Sequence, residues 1–227
     1  MIQTALTSIL LASSLSFAQA EFPNTASAQL QAEAKQAQTE LASASMSLNK
    51  RYGGADMPDN VYKDNILLNI AYMNGTVKSK NDINWDSIKK PFTTTFTLNP
   101  GERFAYHDTQ LAQYADNVVL TTNSTFSAGD GYKYEGGLYG MGVCHLASLI
   151  NKAALNAGLE SVAPSNHDFY PIPEISKEYG VAIYFDPNAP LASARQNLYI
   201  RNTLEKPITF KFDFDGDNLK VSVLKSS

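Results

Sequence analysis

Cysteine is nearly absent: Cys144 stands alone in 227 residues. An internal disulfide is therefore excluded, and packing alone must hold the fold. Cationic charge is also sparse, with 18 Lys and Arg against 22 Asp and Glu and a net charge of −4. With no Lys/Arg cluster and no basic, aromatic-studded surface motif, nucleic acid is excluded as a partner. The same balance argues against simple electrostatic adhesion to anionic membranes or wall polymers. Long apolar runs are missing too. The best candidate, Thr4 to Phe17, is shorter than the ~20 residues a bilayer requires and is interrupted by serines, so no stable membrane insertion is expected. It ends in Ala18-Gln19-Ala20, a small-x-small cleavage pattern, although no Lys or Arg precedes Lys35. We expect a signal peptide over residues 1–20, a mature chain from Glu21, and a secreted, periplasmic or cell-envelope location.

What is present centres on Gly136 to Glu160, GGLYGMGVCHLASLINKAALNAGLE. Gly136, Gly137, Gly140 and Gly142 make a loop open to backbone angles that other residues avoid. Val143, Leu146, Ala147, Leu149, Ile150, Ala153, Ala154, Leu155 and Ala157 then recur at helical spacing, and Gly158 stops the helix. Cys144 is thus placed in the first helical turn, where free amides and the helix dipole favour a thiolate. That position suits a nucleophile. A small buried residue without chemistry is the competing reading.

The rest of the chain is of ordinary composition, 44% hydrophobic and 18% charged, and one folded domain is expected. Ala26 to Lys50, rich in Ala, Gln, Ser and Glu, predicts a helix with a thin stripe of Leu30, Ala34, Ala37, Leu41, Ala44 and Leu48. Arg51 to Pro58 reads as a linker, and Asp59 or Asn60 caps a core helix through Met73. Phe92 to Leu98 and Arg103 to Tyr106 flank the turn Asn99-Pro100-Gly101-Glu102 and predict a hairpin. Short strands follow at Val118 to Phe126 and Tyr132 to Tyr134. Beyond the central helix, strands are expected at Val181 to Phe185, Leu198 to Thr203, Ile208 to Phe214 and Leu219 to Leu224, the last two joined through Asp215-Gly216-Asp217. His107 and Asp108 read as a surface or helix-capping pair. The pattern is α+β: a mainly antiparallel sheet packed against a central helix that starts at the cysteine, with an N-terminal helical extension. The divisions are residues 1–20, a helix and linker over 21–58, and an α+β domain over 59–227.

The block GMGVCHLASLINKAALNAGLE resembles the signature of the VanW-like family, secreted or surface proteins named for a component of some glycopeptide-resistance clusters. NILLNIAYMNG at Asn65 to Gly75, FTLNPGERFAYHD at Phe96 to Asp108, His167 and LYIRNT at Leu198 to Thr203 extend the resemblance over about Asn60 to Phe214. Family members commonly carry glutamine where this chain has His145. They commonly have an aspartate where it reads Tyr179-Gly180-Val181.

The resemblance implies a cell-envelope setting with wall peptide or glycan as partner. The order Cys144, helix, His167 is similar to that of papain-like wall peptidases and transglutaminase-like enzymes, in which histidine deprotonates cysteine for attack on an amide carbonyl. Cys144 and His167 are accordingly the candidate dyad. Asn202, Asp186 and Asp168 are candidates to orient the imidazole, and Asn202 is preferred because it matches a family position. Backbone amides of Val143 and Cys144 would hold an oxyanion. Gly140, Gly142, Val143, His145 and Tyr139 are candidate binding residues, with Tyr134 and Met141 as further walls. No cofactor is expected. A metal site built on Cys144, His145, His167 and His107 is set aside, because adjacent Cys-His is poor geometry for two ligands. Two functions compete: a Cys/His amidase, peptidase or acyl transferase acting on peptidoglycan peptides, and a noncatalytic wall-binding module. Oligomeric state is left open.

Overall fold

The computed structural model describes residues 38–49, 51, 56–167 and 172–227. All lie in the second of two units, Gln36–Ser227. The expected signal segment, the start of the expected N-terminal helix, and Asp168 fall outside the described residues.

Among the described residues, ten strands and four α-helices follow one another. The strands are β1 (Gln38–Ser47), β2 (Phe92–Leu98), β3 (Arg103–Ala105), β4 (Val118–Leu120), β5 (Tyr134–Glu135), β6 (Leu138–Tyr139), β7 (Glu160–Val162), β8 (Tyr199–Arg201), β9 (Ile208–Phe214) and β10 (Asn218–Ser226). The helices are α1 (Asp56–Met73), α2 (Trp85–Ile88), α3 (Val143–Asn156) and α4 (Pro190–Arg195). The strands form an antiparallel sheet ordered β1-β10-β9-β2, a second sheet ordered β4-β3-β8-β7, and the β5-β6 hairpin. The class is α+β as the sequence predicts, with two principal sheets in place of one. In the second sheet, β3 and β4 run parallel.

Alternation builds the first sheet. Phe210, Phe212 and Phe214 on β9 and Leu219, Val221 and Val223 on β10 are buried, each fully buried side chain contributing about 1.5–3 kcal/mol. Phe96 of β2 stacks on Phe210 at 4.8 Å between ring centroids, while Thr93, Thr95 and Thr97 face outward. Helix α3 packs on β1, β10, α1 and β7, and its Leu146, Ala147, Leu149, Ile150, Ala153 and Ala154 are wholly buried.

Three expectations are corrected. The helix predicted over Ala26 to Lys50 is a strand from Gln38 to Ser47. Ala44, Met46 and Leu48 are buried at a spacing of two, and the backbone pairs with β10 from Gln38↔Ser226 to Ser47↔Asn218. Pairing with a distant strand overrides the helical propensity of Ala, Glu and Gln. Similarly, β2 and β3 do not form a hairpin. After the Asn99–Glu102 turn the chain leaves the first sheet, where β2 pairs with β9, and enters the second, where β3 pairs with β8. Finally, Val181 to Phe185 is not a strand; its amides bond to α3 side chains and to irregular backbone, as set out below.

Candidate functional site

Helix α3 begins on Gly142, whose φ is +101°. A Cβ there would lie 2.9 Å from the Tyr62 carbonyl oxygen and 3.0 Å from Ile66 Cγ1, so the loop meets α1 at a distance open only to glycine. The helix therefore starts at Val143, with Cys144 in its first turn as expected.

The cysteine's neighbourhood explains the missing strand. Ile183 N–H donates to Cys144 Sγ at 3.3 Å, and Sγ–H donates to the Ile183 carbonyl at 3.6 Å. One turn on, Ser148 Oγ accepts from Val181 N–H at 2.9 Å while donating to the Cys144 carbonyl. A further turn on, Asn151 Nδ2 donates to the Tyr179 carbonyl at 2.9 Å. Four helical residues rise about 6 Å and two extended residues about 6.6 Å, so Cys144 and Ser148 match residues 183 and 181 in step, and Asn151, three residues further on, reaches Tyr179 at the end of a 3-10 turn. Ala182 N–H and Tyr184 N–H bond instead to the Ser165 and Gln196 carbonyls. The cysteine is one tooth of a polar seam along an otherwise apolar helix. Polar residues at positions 144, 148 and 151 are the sequence signal for it, and sequence reasoning passed over Ser148 and Asn151.

This setting reverses the predicted acidity of the thiol. Cys144 is half-buried, and desolvation by the protein packed around its sulfur pushes it up to about 11, outweighing the favourable N–H from Ile183 and the helix-start amide. At neutral pH it is a thiol.

A cleft of about 510 Å³ opens beside it. The structure brings Cys144, His145, His167, Gly140, Gly142, Val143, Tyr139 and Met141 together on its walls, with Tyr62, Phe126, Leu138, Tyr184 and Phe185. Among the described residues that line it there is no Asp, Glu, Lys or Arg. Its rim is apolar and solvent-facing: Leu138 is 63% exposed, Tyr139 50% and Tyr184 44%, and Tyr134 beside them 57%. Tyr134 and Tyr139 face each other across the β5-β6 hairpin at 5.1 Å. A smaller cavity of about 210 Å³ beside α1 and α2 contains none of the candidate residues.

His145 is buried, not a surface residue. Its Nδ1 lies 3.2 Å from Arg51 Nη2, and Arg51 is held by the Ser47 carbonyl and by Glu174 at 2.7 Å. Burial, with Arg51 and His167 alongside, lowers its pKa to about 3, so the ring is neutral. It packs 5.1 Å from the Tyr62 ring and edge-on to His167 at 5.9 Å. His167 is likewise buried; its carbonyl oxygen would sit 2.6 Å from a Cβ at position 180, which explains Gly180 in the Tyr179-Gly180-Val181 run. Arg51, assigned by sequence to a linker, and Glu174 gave no sequence signal.

Asn202 lies elsewhere. Fully buried, it donates to the Leu98 and Lys206 carbonyls, each at 2.9 Å, and accepts from Leu204 N–H at 2.9 Å. All its polar capacity toward backbone brackets the crossing between sheets. Asp186 accepts from Asn188 N–H at 2.8 Å and from the Tyr184 hydroxyl. His107 is a fully buried residue bonded to the Gln196 carbonyl at 3.1 Å, not a surface cap, and burial lowers its pKa.

Compared with known proteins, residues 93–224 match the family model described as VanW like protein. The chain belongs to the VanW-like family. No curated protein and no solved structure gives a match. The VanW-like match begins within β2, so β1, Arg51 and Tyr62 lie ahead of it. Of the neighbours of His145 named above, Arg51 and Tyr62 therefore lie outside the matched region and His167 within it. No helix of the described residues is long and apolar enough to cross a membrane.

Proposed function

We propose that this VanW-like chain is an exported cell-envelope module that binds an uncharged stretch of wall polymer in the cleft between α3 and the β5-β6 hairpin, without turning it over. The observation that carries this is the state of Cys144. Its sulfur exchanges hydrogen bonds with the Ile183 backbone and stays protonated at neutral pH, which suits a packing role and disfavours attack on a carbonyl. Walls free of Asp, Glu, Lys and Arg and an exposed tyrosine rim supply the ligand surface, since binding clefts are largely apolar with a few orienting polar groups. Export rests on the Thr4 to Ala20 segment.

Sedimentation with purified peptidoglycan sacculi tests the reading. Wild type should co-sediment, Tyr139→Ala with Leu138→Ala should release it, and Cys144→Ser should bind as wild type does. Soluble wall fragments released by wild type and not by Cys144→Ala would sink it in favour of a Cys/His hydrolase or acyl transferase. That second reading draws on one observation, that Cys144 and His167 line the same cleft. Recovery of an intact chain beginning at Met1 from the cytoplasm would refute the export step.

A further inference from the structure

His145 sits at the floor of the cleft with one ring nitrogen already committed. Arg51 has five N–H donors and no acceptor, so its 3.2 Å contact makes Nδ1 of His145 the accepting, unprotonated nitrogen. Arg51 cannot turn away without loss, because its other amino group is held by the Ser47 carbonyl at 2.8 Å and by the Glu174 carboxylate at 2.7 Å. A neutral imidazole that accepts at Nδ1 carries its proton on Nε2. The ring that carries this N–H lines the cleft. Such a group donates one hydrogen bond and brings no charge, which suits a carbonyl oxygen and gives a carboxylate or phosphate no counter-ion.

The rim narrows the choice further. Tyr134, Tyr139 and Tyr184 are exposed to solvent, and aromatic faces attract the polarised C–H face of a sugar ring. Peptide termini and acidic or basic side chains would find no Asp, Glu, Lys or Arg on the described walls to pair with. A sugar with an acetamido group is neutral, has a stackable face and carries one strongly accepting carbonyl. We propose that Arg51 fixes His145 as an Nε2–H donor to the acetamido carbonyl of an N-acetylated amino sugar, whose ring stacks on the tyrosine rim. This deepens the binding function proposed above and rests on it.

Two measurements on the mature chain test it. Long-range proton–nitrogen NMR should find His145 protonated at Nε2 and bare at Nδ1 near neutral pH; an Nδ1–H tautomer overturns the proposal whatever the binding data. Calorimetry should find that tri-N-acetylchitotriose binds about tenfold or more tightly than cellotriose, which lacks the acetamido groups, the loss expected for one buried hydrogen bond. His145→Gln, which retains an N–H donor, should stay within about threefold of wild type, whereas His145→Phe should lose about tenfold. If His145→Phe does not fold, the wild-type tautomer and the two-sugar comparison decide alone. Equal affinity for the two sugars, or binding of an isolated stem peptide in preference to either, overturns the sugar assignment while sacculus binding still stands. Failure to bind sacculi as well overturns both.

Discussion

The reactivity of Cys144 separates the two functions most directly, and the structure sets its size. With a thiol pKa of about 11, about 1 molecule in 10⁴ is thiolate at pH 7, against roughly 3% for an ordinary cysteine of pKa ~8.5. Iodoacetamide should therefore modify Cys144 about 300-fold more slowly than a free thiol at that pH, before any further slowing by the cleft walls. The rate should climb close to tenfold per pH unit up to about pH 10, since each unit raises the thiolate fraction tenfold. Stopped alkylation followed by intact-mass spectrometry gives the profile. Because burial is the main cause of the shift, His167→Ala should leave the profile unchanged. A plateau reached below pH 8, or a marked drop in low-pH rate on removing His167, would refute the reasoning and restore the dyad.

Other consequences are as concrete. Gly142→Val forces a β-branched residue to φ +101° against the Tyr62 carbonyl and should lower Tm by roughly 10 °C; Gly129→Val, at negative φ beside only Ser127 Oγ, should change Tm far less in the same scan. Asn202→Ala removes three hydrogen bonds to backbone, the buried one to Leu98 and two part-buried ones to Lys206 and Leu204, and should cost about 1–3 kcal/mol in urea unfolding, with sacculus affinity of the folded fraction intact. His145, lowered to about 3 when folded, gains its proton mainly in the unfolded chain below pH ~6.5, so stability should fall from there toward pH 3 by on the order of 4 kcal/mol; His145→Gln should flatten that part of the profile, and an unchanged acid profile would contradict the assignment.

Much of the fold was legible where local pattern and burial agree. The Phe-Thr alternation of β2, the Asp-Gly-Asp turn before β10, and the α3 stripe ending at Gly158 all appear where periodicity puts them. Gln38 to Ser47 was misread because Ala, Ser and Gln satisfy a helix locally, and only a partner 180 positions away makes the strand (Glu40 with Lys220). The site was half legible. The glycine loop and helix start fixed which residues meet at the cleft, but the acidity of Cys144 depends on how Ile183 lies over it. That in turn depends on three side chains spaced along α3, information held in neither segment alone. Arg51 reaches His145 from 94 positions away, and no local pattern announces such a contact.

The pairing of β1 with β10 also constrains how the chain comes to be folded. β10 is synthesised after everything else that the first sheet contains, so β1 has no neighbour until translation of the sheet is finished. Closing so long a loop is entropically costly and slow relative to local structure. Over that interval α3 lacks the β1-β10 surface it packs on, and that part of its apolar face is uncovered. A chain in that condition is exposed to aggregation until the sheet closes, and losing β10 would leave the entire first sheet without its centre.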